Sequence, residues 1–287
     1  MMSLQELVDG AHAFIKDCMD ASRGQVLSVC NMIPPKLLKC LEQLMFSVNG
    51  TTDSAILLIE EGCVWDSSIL LRSVLDGTAR ACYLMSAKTQ VEEDRRLSEF
   101  QELLPKAEMG GLDQPLRGLI NSPYCKAELE DDPIFGPLKS IVDEMKPGEG
   151  EGKPLREVKT RWNFFRISKV LLDEFPTWAK YAPLFEYRYA ISNQLVHKTD
   201  TGCGQVLERQ MREPCYRELS ELAHAETVAM ALCFATYTRL VALSERQRAD
   251  TESFLDVWLK HRRYFEDAQK IEDEFVVECK KRAEEDS

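Results

Sequence analysis

The sequence lacks any stretch in which apolar and polar residues alternate with period two for long enough to define a strand, and with it the usual signature of a half-buried sheet. It lacks paired cysteines as well. Cys18, Cys30, Cys40, Cys63, Cys82, Cys125, Cys203, Cys215, Cys233 and Cys279 are scattered with no C-x-x-C among them, so zinc-ligand spacing is missing and no metal is expected. Cys40, Cys63, Cys82 and Cys233 lie within apolar helical patterns, where a reduced thiol behaves as a small buried hydrophobe, which suits a reducing, cytoplasmic setting. There is no Gly-rich phosphate loop, no H-E-x-x-H and no G-x-S-x-G, and no cofactor is expected. No run of about 18 uncharged apolar residues occurs, so no membrane span is expected. The opening MMSLQELVDGAHAFIKDC carries acids early and no basic leader, and does not read as a signal peptide. A net charge of -12 excludes a surface that embraces nucleic acid all round, because such binding rests on Lys and Arg neutralising phosphates; a local basic cleft stays open.

What is present reads as helix. The segment from Asp53 to Ala87 has no proline and places Ile56, Ile59, Val64, Ile69, Leu71, Val74, Leu75 and Leu84 at spacings of a long buried helix, with Thr52 or Asp53 as its cap. A second long core helix is expected from Cys215 to Ser244, introduced by Pro214. Shorter helices are expected at 4–22, 35–48, 90–104, 155–174 and 181–198, and a charged one at 249–284. Gly and Pro concentrate between Pro105 and Pro154, including KPGEGEGKP, which reads as a loop-rich excursion between two helical halves. The expected architecture is therefore a single all-α domain over 1–287: a helical bundle with two long core helices, an inserted segment at 105–154 and a charged C-terminal helix at 249–287.

Three sets of polar residues interrupt the apolar helices. Arg72, Asp76 and Arg80 are spaced by four and share a face; the plainer reading is an exposed ion-pair ladder, the sharper one an Arg72 held by Asp76 and presented to an anion. In YRYAISNQLVHKT, helical geometry gathers Glu186, Tyr189, Asn193 and His197 into a sector of about 80°, while Arg188 and Ser192 form a separate pair. Arg188 and His197 point to opposite sides of an ideal helix, so a catalytic pair made of the two needs the helix to end before His197, which KTDTGCG would allow. The third set, Arg217 and His224, fits a loose Arg-x(4–6)-His pattern of which roughly 0.8 examples arise by chance, and reads as structural. Paired acids such as Glu60-Glu61 and Asp131-Asp132 read as solvated.

Together LLRSVLDGTARACYL, Trp162 and YRYAISNQLVH resemble, over residues 50 to 245 in outline, a bacterial domain-of-unknown-function family of all-helical proteins similar in pattern to the HEPN superfamily. That resemblance implies a helical bundle, commonly a homodimer, and a metal-independent ribonuclease of toxin–antitoxin or antiviral defence systems. The superfamily signature is Arg followed five positions later by His. Here it falls on Ser192 to His197, with Asn193 and His197 matching and Ser192 standing where the arginine belongs. Metal-free cleavage needs a base for the 2′-hydroxyl and a fixed cation for the phosphate. The resemblance thus implies His197, Asn193, Arg188 and Ser192 as the catalytic set, with Arg72, Asp76 and Tyr189 on the substrate side. It also implies RNA bound in a local basic cleft and a cognate partner protein. The reading from a different class is a non-catalytic helical module that senses a ligand or binds a protein.

Overall fold

A computed structural model describes residues 2–29, 33–109, 152–249 and 251–285. The described chain is all α, without a strand, as the missing period-two pattern predicts. It divides into two compact units, residues 1–86 with 168–287 and residues 87–167.

The larger unit contains α1 (Leu4–Val29), α2 (Pro35–Glu60) and α3 (Val64–Met85). The smaller unit holds α4 (Gln90–Ser98), a π-helical turn (Glu99–Leu103), α5 (Leu104–Met109) and α6 (Gly152–Arg161). Helix α7 (Phe164–Glu174) begins in the smaller unit and continues into the larger. There follow α8 (Pro176–Val196), α9 (Asp200–Gln210), α10 (Pro214–Arg246), α11 (Glu252–Lys260) and α12 (Arg262–Glu285). Helices α2, α8 and α10 each open on a proline in the first turn, where the missing N–H costs nothing and φ is already helical. Thr89 and Thr199 cap α4 and α9 through their side chains, accepting from the amides of Glu92 and Gly202.

In the larger unit α3 lies against α2, α8 and α10, and α10 in turn packs on α1 and α12. Ala225, Val228, Leu232, Cys233 and Ala235 of α10 are fully buried, and so are Leu71, Val74 and Leu75 of α3. Helix α10 is long and apolar enough to cross a membrane, but 78% of its most apolar window is buried within the protein, as a core helix requires. An aromatic cluster of Phe14, Tyr181, Phe234, Trp258 and Phe265 fills the space among α1, α8, α10, α11 and α12.

Several boundaries differ from expectation. The helix expected over 53–87 is broken at Gly62, whose φ of +75° only glycine adopts freely, so its first part belongs to α2 and its second is α3. Thr52, expected to cap, instead sits mid-helix and donates to the Val48 carbonyl at 2.8 Å. The segment 155–174 forms two helices, as does 249–284. KTDTGCG, expected only to end a helix, does so and at once begins α9. Cys63 is exposed in the α2–α3 turn, whereas Cys40, Cys82 and Cys233 are buried. Of the excursion at 105–154, positions 110–151 lie outside the described residues, and with them Asp131-Asp132.

Candidate functional site

Helix α8 does end before His197, which occupies the C-cap and is exposed. Asn193, one turn earlier, is half-buried, and Ser192 is buried. Arg188, however, does not turn toward them. Nine residues at about 1.5 Å of rise separate it from His197 by some 13 Å along the axis, and its side chain runs into the protein, 8% exposed.

There Arg188 meets the histidine that the sequence pattern attached to Arg217. Its Nη1 lies 3.4 Å from His224 Nδ1, while Arg217 reaches the Gln210 carbonyl. His224 Nε2 lies 2.8 Å from Ser68 Oγ on α3. A guanidinium can only donate, so Nδ1 is the acceptor and the ring proton resides on Nε2, which donates to Ser68. Burial, then the positive charges of Arg188 and Arg209, hold the His224 pKa well below its ordinary value, which keeps the ring neutral. In this tautomer His224 has no lone pair for the Ser68 hydroxyl, so the pair is not a nucleophile with its base.

The cluster extends outward through Trp65. Its ring stacks on His224 with centroids 4.5 Å apart, and the Arg209 guanidinium lies 4.4 Å from the Trp65 ring. Arg209 comes from α9, which is held close to α8 at Gly202, where a Cβ would stand 2.6 Å from the Gln194 carbonyl oxygen. Trp65 and Arg209 are half-buried and form the accessible side of the group. Neither Arg188 nor Arg209 makes an ion pair with a carboxylate among the described residues, and Arg188 Nε and Arg209 Nη1 are buried without an acceptor. Burial lowers the Arg188 pKa to about 10, which still leaves it charged at neutral pH. Tyr187 and then Glu226 work against that lowering, and Glu226 is itself raised to about 7 chiefly by burial and then by Glu272.

The residues expected on the substrate side do come together, at a different place. Arg72 lies over the Tyr189 ring at 5.4 Å, and Asp76 pairs with Arg80 at 3.0 Å. Burial raises the Tyr189 phenol, and the neighbouring Asp76 and Arg72 pull it in opposite directions. Glu186, expected on the His197 sector, accepts from Ser168 at 2.6 Å. Trp65, Ser68 and Arg209 went unnoticed in the sequence. Their types are unremarkable, and only the packing of α3 on α8 and α10 and the return of α9 along α8 set them beside Arg188 and His224. Among the described residues no group of three His, Cys, Asp or Glu side chains is arranged to hold a metal ion.

No protein-family model matches the chain, and neither a curated protein nor a solved structure matches it significantly.

Proposed function

We propose that this protein is a non-catalytic helical binding module whose Trp65–Arg209–Arg188 cluster receives an acidic group of a partner protein. The observation that supports this reading most directly is the state of Arg188. It is a buried cation resting on a neutral histidine, without a carboxylate among the described residues. A buried charge of that kind is stable only with compensation, and an incoming carboxylate offers it in bidentate form. Arg209 on the indole face supplies the accessible cation that would make first contact.

The test uses Trp65 as reporter. Titration of the full chain with polyglutamate should change its tryptophan emission, and Arg209→Gln should weaken the response about tenfold, the scale of losing one charged hydrogen-bond partner. A flat titration in the wild type would sink the reading.

The second reading, a HEPN-like metal-independent ribonuclease acting as a cytoplasmic homodimer, is favoured by the exposure of His197 one turn after Asn193. Total RNA incubated with the protein in EDTA should remain intact if the module reading holds. Cleavage lost in His197→Ala would favour the ribonuclease instead.

A further inference from the structure

A second buried arginine lies elsewhere in the larger unit, at a cavity of about 270 Å³ bounded by α1, α2 and α10. Arg239 of α10 lines it and is 1% exposed. Its Nη2 donates to Asn49 Oδ1 at 2.7 Å and reaches Thr52 Oγ1 at 3.5 Å, both of which also line the cavity. Its Nε and Nη1 are buried and have no acceptor. No carboxylate pairs with it among the described residues. The groups nearest to it electrostatically are the thiols of Cys82 and Cys18, which burial pushes up, Cys18 to about 12, so both are uncharged at neutral pH. Asp53 is the remaining acid influence and is exposed.

The mouth carries charges of both signs in balance, so the buried Arg239 is the cation in excess. Lys16 and Arg23 of α1 line it with His12, against Asp20 and Asp53, and Asp20 is already engaged by Arg23 at 3.2 Å. A floor cation with two idle donors, two neutral polar side chains orienting it, and an exposed Lys16 at the rim are the parts of an oxyanion site. A cavity of this size accommodates an anion of a few heavy atoms at its floor.

We infer that the Arg239 cavity is a binding site for a small oxyanion, a carboxylate or phosphate group carried on a compact metabolite, gripped by the guanidinium that Asn49 and Thr52 orient and drawn in by Lys16. The site is independent of the Trp65–Arg209 cluster and of the function assigned to it.

Isothermal titration of the full chain with inorganic phosphate, and separately with succinate, tests it. One of the two should bind at a single site, and the two arms tell phosphate from carboxylate. Arg239→Gln, which removes the guanidinium and its charge, should weaken binding at least about tenfold. Should that variant fail to fold, exposed rim substitutions decide: Lys16→Glu should weaken binding about threefold or more and Asp53→Asn should tighten it. Arg209→Gln should leave this binding unchanged, which separates it from the polyglutamate response. Absence of binding by both probes at tens of millimolar, or binding indifferent to the Arg239, Lys16 and Asp53 substitutions, overturns the proposal.

Discussion

His224 and Glu226 sit two residues apart on α10, and burial drives their titrations in opposite senses for stability. His224 is held neutral in the fold, its pKa well below the ordinary 6.5. As pH falls through 6.5 the unfolded chain takes up a proton that the folded chain refuses, so stability is lost on acidification. Glu226 is raised from 4.5 to about 7, so on acidification through 7 the folded chain binds a proton first and gains stability until about 4.5. The wild type therefore shows the two effects partly cancelling between pH 8 and pH 5. Glu226→Gln removes the gain and exposes the loss. Urea unfolding should show the variant losing about 2 to 3 kcal/mol more than the wild type over that interval, from the roughly two pH units between 7 and 5 at about 1.36 kcal/mol each. Equal losses would mean that Glu226 is not protonated in the folded state near neutrality. None of this is visible in LAHAETVAM as written. The residues could be read as a polar interruption of a core helix, but their partners come from α3, α8, α9 and α12, and a protonation state is a property of those partners.

At the scale of the element, helix type was legible and helix limits were not. Leucine, isoleucine and valine at helical spacing run straight through Gly62, so periodicity alone fuses α2 and α3 into the expected segment. What breaks it is a single positive φ, and glycine in the sequence does not announce whether it will use that freedom. Gly77 marks a different use of the same residue. Helices α2 and α3 pack tightly, and a Cβ at Gly77 would stand 2.3 Å from Val48 Cγ2, inside any tolerable contact. Gly77→Ala should therefore destabilise the protein by about 1 to 3 kcal/mol despite the better helix propensity of alanine, the usual cost of overpacking. Val48→Ala in the same background should recover part of that loss by making room. A Gly77→Ala protein at least as stable as the wild type in thermal or urea unfolding would show that the two helices can separate without penalty. Helix α9 escaped notice because its eleven residues carry few apolar side chains; the Thr199 cap and the fit of Gly202 against α8 hold it instead.

For the whole molecule, the all-α architecture follows from what the sequence lacks, but the division into two units does not, because a Gly- and Pro-rich stretch looks the same whether it interrupts one core or belongs to a second. The smaller unit has a core of its own, with Leu97, Leu104, Leu155, Val158 and Trp162 buried. It also has its own charged centre, which the resemblance touched only through Trp162. Glu99, 4% exposed at the start of the π turn, accepts from Trp162 Nε1 at 2.9 Å, from Arg161 Nη2 at 2.9 Å and from Arg95 Nη1 at 2.9 Å. Burial works to raise its pKa, but the donors of Trp162, Arg161 and Arg95 prevail and hold it below the ordinary carboxylate value. One acid thus ties the π turn to both α4 and the end of α6, elements far apart in sequence. Removing it strands an indole N–H inside the core and leaves two guanidinium groups without their shared acceptor. Glu99→Ala should cost this unit about 1 to 3 kcal/mol, the range for a buried donor left unpaired, since the Arg95 and Arg161 side chains, 43% and 44% exposed, can turn to water. Hydrogen exchange would register it as lost protection across Gln90–Met109 and Gly152–Arg161. Glu99→Gln should fall between, since the amide oxygen still accepts from Trp162 while the charge is gone. If the amides of both stretches exchange at wild-type rates in Glu99→Ala, the apolar core alone holds the unit, and the convergence on Glu99 contributes geometry without measurable stability.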